Sequence, residues 1–485
     1  MARNACIVGI GETPYCRKPG SGMTQLGLQL LACTRAIEDA GLRASQIDGI
    51  MPFPNLGRAE EFAANLGCEN LRFATTIHMG GAAPAASLQL AKAAVEAGFA
   101  NFVLLPAGWN GYSGARVRQT VAANAASIPG GAIARDYYLP FGLTAPPQWY
   151  ALLARRHMFE FGTTAEQLGA IAVTMRDHAQ KNPQAVMHGK PMTLDDYLAS
   201  PMLSDPYRFF DCCLETDGAS AVIVTTAERA RDLAAKPVSI LGAACGQPYP
   251  ADEITNRKDF FRTGLTIAAP EAFGQSGVSP KDADFAMIYD CFTFELLQQL
   301  EEVGFCKRGE GGDFVSEGRI RLGGALPVNT HGGLLSEAHS LGMGHIVEAV
   351  KQLRGDASGR QVTPAEVGTR FEMSLAASTG AAAFALASPY TAIVQSASLW
   401  PGRTSSTSKI TLAAAMDAPG AMSTPGKTTI TTCWSEPSCT SSRSELVKYI
   451  VPEPTFSSAE SGRSVTEAMP STVEQPPPQP DGATV

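Results

Sequence analysis

The side chains best suited to chemistry come directly after one short apolar run, at residues 285–288. Tyr289, Asp290 and Cys291 stand there in succession. A phenol, a carboxyl and a thiol at the carboxyl end of a buried strand would form a titratable cluster where α/β proteins commonly bind ligands. The alternative is that Tyr289 and Cys291 only pack in the core, because a free cysteine often behaves as a small apolar residue.

His339 is the second candidate for a catalytic group. The spacing of apolar residues over 340–353 predicts a helix that begins directly after it. A helix N-terminus disfavours the protonated imidazole, so this position favours a neutral ring that donates one N–H, as an oxyanion-hole element does. Gly332 and Gly333 precede it and would allow close approach of the backbone. A lone histidine is more often structural, and that alternative stays open.

A third segment, residues 78–88, consists mainly of small residues and leads into a predicted helix at 87–97. Gly81 lies in the middle of this turn, and neither of its neighbours is a cysteine or a serine. Such residues can only shape space and offer backbone N–H groups to an anion or a carbonyl. The nearest cysteine, Cys68, belongs to a different segment.

Elements that could position these residues alternate along the chain. Alternating strands and helices indicate an α/β sheet with both faces covered. Predicted strands lie at residues 5–10, 47–51, 101–105, 217–224 and 238–242, and predicted helices at residues 26–40 and 87–97.

The pattern also repeats at long range. Residues 36–48 match residues 272–284, since in both a helix ends at a glycine, crosses a polar turn and enters a strand at an aspartate. The predicted helix at 340–353 parallels the one at 87–97. Such a duplication predicts two similar α/β halves, although any two βα units share some of these features.

The duplication sets the expected domain boundaries. We expect a first half at residues 1–230, with a loop insertion at about 110–210, and a second half at 231–390. In residues 391–485, roughly 30 of 95 residues are serine or threonine and proline is frequent. That composition cannot bury enough apolar surface to offset chain entropy, so this tail is interpreted as disordered, or as an aberrant translation.

Bulk composition excludes several classes of protein. The net charge of -8 leaves no basic stripe for nucleic acid, and no apolar run of membrane-spanning length is present. Eleven cysteines are scattered without a CxxC pair, which argues against a zinc site. The adjacent Cys212 and Cys213 are interpreted as core thiols of a reducing compartment, and we expect a cytoplasmic protein.

Taken together, the three segments resemble the thiolase superfamily, over about residues 5–390. The similarity is closest to sterol-carrier-protein-type thiolases and to the thiolase-like aldol lyases of steroid side-chain breakdown. Residues 289–292 (Tyr-Asp-Cys-Phe) resemble the His-Asp-Cys-Phe segment of the former, and the aldol lyases carry a tyrosine at its first position. His339 matches the histidine of the Gly-His-Pro-Leu-Gly signature, with Ala338 and Ser340 as departures.

The resemblance implies a thiolase fold, with two duplicated βαβαβαββ halves in a five-layer α-β-α-β-α arrangement. It implies that His339 binds the thioester oxygen, that Tyr289 transfers a proton, and that Cys291 is an alternative acid. Gly81 stands where thiolases carry the nucleophilic cysteine, and a second family cysteine is missing near Gly380. We expect Gly81, Gly332, Gly333 and Gly380 to contribute to substrate binding. His331 and His345 have no family counterpart and are interpreted as structural.

Without a thiolate to hold an acyl group, the expected reaction is aldol or retro-aldol cleavage of a β-hydroxyacyl-CoA. The alternatives are a non-catalytic acyl-CoA-binding or lipid-transfer subunit and an acyltransferase with an unlocated nucleophile. Coenzyme A enters only as part of the substrate, and no other cofactor and no metal are expected. The resemblance further implies a homodimer and a zinc-ribbon/OB-fold partner. Because the tail holds only Cys433 and Cys439, that partner would be a separate chain.

Overall fold

A computed structural model describes residues 4–114, 134–233, 235–248, 257–373 and 381–387. Gly380 and the predicted tail at 391–485 lie outside the described residues, and the predicted domain boundaries stay predictions. Within the described part of the chain, no helix is long and apolar enough to cross a membrane.

The strands form a nine-stranded sheet and a small hairpin. The nine-stranded sheet contains β1 (Ala5–Glu12), β2 (Gly49–Ile50), β3 (Phe73–Ala74), β4 (Val103–Asn110), β7 (Asp217–Thr226), β8 (Val238–Gly246), β9 (Phe285–Ile288), β10 (Val367–Met373) and β11 (Ala381–Ala387). The hairpin pairs β5 (Met202–Ser204) with β6 (Tyr207–Arg208).

The α-helices alternate with these strands. They are α1 (Gln25–Asp39), α2 (Ala59–Leu66), α3 (Ala83–Ala97), α4 (Pro146–Phe161), α5 (Ala165–Gln180), α6 (Leu194–Leu198), α7 (Ala227–Ala230), α8 (Leu265–Ser276), α9 (Thr293–Val303), α10 (Gly311–Ser316), α11 (Gly333–Ser336) and α12 (Met343–Arg354).

The large sheet consists of two halves with the same topology. Its strand order is β3-β2-β4-β7-β1-β8-β11-β10-β9, and Val328 adds a parallel bridge beside β9. Counted along the chain, the first five strands have the order 3-2-4-5-1, and the second set repeats that order in reverse. In each half the second and fourth strands are parallel, and the fifth is antiparallel to its neighbours. The predicted duplication is therefore confirmed.

Two structural details explain why the duplication is visible in the sequence. In each half a glycine of the first strand packs on a helix backbone, and a Cβ on Gly9 would lie 2.3 Å from Ala36 O while one on Gly242 would lie 2.1 Å from Ala272 O. Asp48 and Asp284 form equivalent hydrogen bonds. The Asp48 carboxylate accepts two backbone N–H bonds from the residues just before β4. The Asp284 carboxylate accepts two from the residues at the start of β10.

Three clusters of buried apolar side chains lie between the layers. One joins α1 and α2 to the first half of the sheet, and another joins α8 and α9 to the second half. The third contains α3 and α12 together with strands of both halves, so these two helices form the central layer. Burial of each leucine or valine side chain in that layer stabilises the folded state by about 1.5–3 kcal/mol relative to an exposed side chain. The clusters agree with the expected five-layer thiolase arrangement.

The predicted insertion corresponds to the chain between β4 and β7. Its described residues include α4, α5 and α6 and the β5–β6 hairpin. Helices α4 and α5 pack in the same cluster as α9, through Leu153 and Ile171 on one side and Leu297 on the other. The insertion therefore covers the second half of the sheet, next to the segment that follows β9.

Arg354, at the end of α12, links the central layer to the first half. Its guanidinium donates to Val8 O at 3.0 Å and to Lys236 O at 2.9 Å, and it pairs with Asp39 at 2.8 Å. The side chain is largely buried, so its loss would leave two backbone carbonyls without these donors.

We expect Arg354→Met to lower the free energy of unfolding by about 1–3 kcal/mol, the cost of leaving buried acceptors unsatisfied. The matched control is Arg156→Met, because Arg156 forms its ion pair with Glu160 on the exposed surface of α4. Urea unfolding followed by circular dichroism would measure both. Equal midpoints for the two variants would contradict the linking role of Arg354.

Candidate active site

Tyr289 lies directly after β9 and is almost fully buried. Its main-chain carbonyl accepts a hydrogen bond from Gln299 Nε2 at 2.8 Å, which ties it to α9. A short parallel strand delivers the residue to the carboxyl edge of the sheet, as the sequence predicted. The side chain then extends toward the first half of the molecule.

The phenol of Tyr289 occupies the space beside Gly81. A Cβ built on Gly81 would lie 2.7 Å from two ring carbons of Tyr289 and 2.8 Å from its hydroxyl oxygen. Real Cβ atoms essentially never approach so closely. The ring therefore fills the volume that any side chain at position 81 would need, so a side chain there would force the ring to move.

Tyr289 also contacts His339. Its hydroxyl oxygen lies 3.2 Å from Nε2 of the imidazole, and the two groups share one hydrogen bond whose donor depends on the histidine tautomer. The structure thus brings together three of the predicted site residues, Gly81, Tyr289 and His339, from the two halves of the chain.

Burial keeps the imidazole of His339 neutral. The side chain is buried, and this lowers its pKa to about 4, with a smaller contribution from His345. Helix α12 begins at Met343 after Gly342, so His339 does not lie next to the helix N-terminus. The predicted neutral ring is therefore supported, but its predicted cause was wrong, because burial and not the helix lowers the pKa.

Asp290 holds the loop that carries His339. Its carboxylate is completely buried and accepts N–H bonds from Leu334 at 2.8 Å and Leu335 at 3.3 Å. His345 Nε2 lies 3.1 Å from the same carboxylate. Gly333 permits this contact, because a Cβ there would lie 2.0 Å from Asp290 Oδ2.

The paired glycines therefore have a packing reason that the sequence did not reveal. Gly332 has a φ of 109° and faces α5, where a Cβ would lie 2.9 Å from Ala179 Cβ. Their predicted part in substrate binding stays a prediction. Gly380, the fourth predicted glycine, lies outside the described residues.

Cys291 has different surroundings from Tyr289. Its main-chain carbonyl accepts a hydrogen bond from Cys213 N at 2.9 Å. Burial raises the pKa of the Cys291 thiol well above its usual range, and the neighbouring Glu295 raises it further. Glu295 is itself buried and accepts a hydrogen bond from Tyr207. The thiol therefore belongs to a second titratable cluster, and its role as an alternative acid stays a prediction.

His331 and His345 are completely or nearly completely buried beside the site. Their rings meet edge to face, with centroids 4.8 Å apart, and His331 Nε2 lies 3.6 Å from Glu337. His345 Nε2 donates to Ile288 O at 3.0 Å as well as to Asp290. These contacts fit the structural interpretation of both residues.

Trp109 and Thr216 are contacts of His339 that the sequence did not indicate. Trp109 Nε1 donates to the carbonyl oxygen of His339 at 2.8 Å, and the amide of His339 donates to Thr216 Oγ1 at 2.9 Å. Both residues come from the first half, far from His339 along the chain. A tryptophan at a strand end carries no motif, so no local signal could have singled it out.

This architecture, with a tyrosine–histidine pair and no side chain at position 81, defines a thiolase-fold protein without the usual nucleophile. Residues 246–386 match the family model described as thiolase C-terminal domain-like. A solved structure described as "Ltp2-ChsH2(DUF35) aldolase" superimposes with a TM-score of 0.72 at 37% identity, covering 79% of this chain and 98% of that one.

Two curated relatives are similar over nearly their whole length. The steroid side-chain-cleaving aldolase of Thermomonospora curvata is 40% identical over 358 residues, which cover 72% of this chain and 90% of the relative. The 17-hydroxy-3-oxo-4-pregnene-20-carboxyl-CoA lyase of Mycobacterium tuberculosis is 40% identical over 364 residues, covering 73% and 92%. The chain belongs to the thiolase superfamily, in the branch that contains these thiolase-like aldolases.

We expect Gly81→Ala to displace the phenol of Tyr289 and to lengthen its hydrogen bond to His339, because the added Cβ and the present position of the ring overlap. The control is Gly274→Ala on α8, where an added Cβ meets nothing within 4 Å. Crystal structures of both variants would measure the distance from Tyr289 Oη to His339 Nε2. An unchanged distance in Gly81→Ala would contradict the close packing described above.

Buried histidines should also make stability depend on pH. The folded pKa values of His339 and His178 are both about 4, below the 6.5 of an exposed histidine. Between these values the unfolded chain binds more protons, so the free energy of unfolding decreases as the pH falls from 6.5 to 4.

We expect His339→Asn to remove up to about 3 kcal/mol of that decrease. His78→Gln, at an exposed histidine, is the control. Urea unfolding at several pH values between 4 and 7 would measure both, and an equal pH dependence in the two variants would contradict a buried neutral His339.

Proposed function

We propose that this protein cleaves the bond between the α- and β-carbons of a β-hydroxyacyl-CoA by a retro-aldol reaction. The observation that carries the proposal is the Tyr289 phenol, lodged against Gly81 and hydrogen-bonded to His339. Acyl transfer requires a nucleophile at that turn, whereas aldol cleavage requires only a base, an acid and a site for the enolate oxygen. The aldolase and lyase names of the relatives support the same reaction class.

His339 is proposed to bind the thioester oxygen. Among the described residues its Nδ1 has no hydrogen-bond partner, although the atom is buried. When the Tyr289 hydroxyl donates to Nε2, the ring proton of a neutral imidazole lies on Nδ1. That N–H is then available to the thioester oxygen, where negative charge develops as the enolate forms.

Tyr289 is proposed to move the proton of the substrate's β-hydroxyl group. As that proton passes to the phenol oxygen, the phenol proton passes to His339 Nε2. The Cα–Cβ bond then breaks, its electron pair forms the enolate, and a ketone or aldehyde leaves. Tyr289 next protonates the α-carbon and recovers its proton from His339. The net reaction moves one proton from the β-oxygen to the α-carbon, so no external acid, base or cofactor is consumed.

The imidazolium formed in this step is stabilised only while the enolate is present. With a pKa of about 4 the ring does not hold a proton at neutral pH. An enolate oxygen beside Nδ1 supplies the opposite charge that the buried ring lacks, and it thereby raises the proton affinity of His339 during the reaction. Proton uptake and bond cleavage are coupled for this reason.

An acyltransferase is the less favoured alternative. A cysteine at position 81 would collide with the phenol, and the described cysteines near the site, the buried Cys291 and the half-buried Cys213, have thiols with raised pKa values. A protein that only binds acyl-CoA would keep the fold but show no turnover, and the activity test below separates it from a lyase.

The substrate is proposed to be a steroid or lipid thioester with a β-hydroxyl group. In 17-hydroxy-3-oxo-4-pregnene-20-carboxyl-CoA the hydroxyl group is β to the thioester carbonyl, as retro-aldol cleavage requires. We further propose a homodimer in the cytoplasm, with a separate zinc-ribbon/OB-fold partner. The "Ltp2-ChsH2(DUF35) aldolase" neighbour supports the partner chain, and the free thiols of the described cysteines support a reducing compartment.

The purified protein, with and without such a partner chain, should convert that thioester into a 17-ketosteroid and a shorter acyl-CoA. We expect Tyr289→Phe and His339→Asn each to lower kcat by about 10²–10³-fold. Cys291→Ala should keep most of the activity, because its thiol lies in the Glu295 cluster. Tyr197→Phe, at another buried tyrosine, is the matched control.

Liquid chromatography of the products would measure these rates. Absence of ketone formation, even with the partner present, would contradict a lyase and leave an acyl-CoA binder. A covalent acyl adduct detected by mass spectrometry would instead favour an acyltransferase.

A further inference from the structure

Two residues of the first half hold the backbone of His339 from neighbouring strand ends. Trp109 is near the end of β4 and pairs with Gly218 of β7, while Thr216 directly precedes β7. The indole N–H donates to the carbonyl oxygen of His339 at 2.8 Å, and the amide of His339 donates to the Thr216 hydroxyl oxygen at 2.9 Å. The two bonds fix both main-chain polar groups of a loop residue that belongs to neither a helix nor a strand.

Trp109 also contacts the imidazole ring itself. The two rings meet edge to face, with centroids 5.2 Å apart and an interplanar angle of 77°. A catalytic histidine is usually oriented by a carboxylate or carbonyl at its second nitrogen. Within the described residues Nδ1 has no such partner, and the side-chain hydrogen bond of the ring is the one between Nε2 and Tyr289. The indole is therefore the contact that can restrict rotation of the ring.

We propose that Trp109 is a positioning residue, which aligns the His339 imidazole with Tyr289 and keeps water away from it. Thr216 assists by holding the amide side of the same residue. The inference rests on the proposed function for its kinetic consequence, because only a His339 that takes part in the reaction makes its alignment matter to the rate.

The indole has little freedom of its own. A Cβ built on Gly111 would lie 2.6 Å from the Trp109 ring, so a glycine is required where the chain leaves β4. The following turn is fixed by Asp217, whose carboxylate accepts N–H bonds from Tyr112 and Ser113, both at 2.9 Å. A rigid strand end thus supports the contact with His339.

Removal of the indole should change the titration of His339 as well as its position. Burial lowers the pKa of His339 to about 4; among the described titratable groups, Tyr289 is hydrogen-bonded to it and His345 lowers its pKa further through its charge. Neither group is a carboxylate that would retain the proton. Water admitted into the space of the indole would solvate the imidazolium and raise the pKa toward 6.5.

The matched control is Trp149 on α4. It is as buried as Trp109, and its Nε1 also donates to a main-chain carbonyl, Leu143 O, at 3.0 Å. Trp149→Leu therefore removes the same volume and the same kind of hydrogen bond without touching His339. The test variants are Trp109→Leu, Trp109→Phe, which keeps an aromatic ring but loses the N–H, and Thr216→Val, which keeps the shape of threonine.

Histidine titration by NMR of carbon-labelled protein is the first measurement, with the His339 signal assigned by its loss in His339→Asn. We expect the pKa of His339 to rise from about 4 toward 6.5 in Trp109→Leu and to stay near 4 in Trp149→Leu. In the lyase assay, Trp109→Leu and Thr216→Val should lower kcat by up to about 10²-fold with little change in KM, since misalignment affects the reacting geometry more than binding. Trp109→Phe should retain part of the activity.

A folded Trp109→Leu protein in which His339 titrates as in Trp149→Leu, with the same kcat, would overturn the proposal. If Trp109→Leu does not fold, Trp109→Phe and Thr216→Val decide the question by the same two measurements. The titration needs no turnover. A shifted pKa in a protein without lyase activity would therefore leave the positioning role intact and count against the proposed function alone.

Discussion

The phenol of Tyr289 needs the volume that a side chain on residue 81 would fill. This steric constraint connects the two halves of the chain, because Gly81 precedes the central helix α3 and Tyr289 follows β9 of the second half. It also restricts the chemistry, since the phenol and a nucleophile at position 81 cannot both be present in this arrangement. The shared layer of α3 and α12 holds the turn and the strand end at the separation that the contact requires.

The fold could be predicted because its duplication leaves marks on the sequence. In each half, a glycine of the first strand packs against a helix carbonyl oxygen, that of Ala36 or Ala272. Asp48 and Asp284 each accept hydrogen bonds from the backbone at a neighbouring strand. Close backbone contacts tolerate few residue types, so the two halves kept the same spacing. The strand ends were harder to predict, since β4 continues to Asn110 through pairing with β7, a partner distant along the chain.

The site could be predicted by residue type but not by its supporting contacts. Tyr289 and His339 were visible as unusual residues in a recognisable pattern. The helix after His339 was placed too early, because Leu341 and Gly342 both adopt positive φ and delay its start. Trp109 and Thr216 contact His339 across 230 and 123 residues of sequence, and such contacts arise from tertiary packing alone. Local patterns contain no information about them.

A buried tyrosine–histidine pair suits a reaction that neither releases nor takes up a proton overall. A ring with a pKa of about 4 cannot draw a proton from neutral solvent, and it accepts one only while an anion stands beside it. Retro-aldol cleavage provides that anion, because the enolate forms as the hydroxyl proton is taken and disappears when the α-carbon is protonated. In the proposed reaction, the burial that makes His339 a poor base at rest would therefore confine its proton uptake to the interval in which the Cα–Cβ bond is broken.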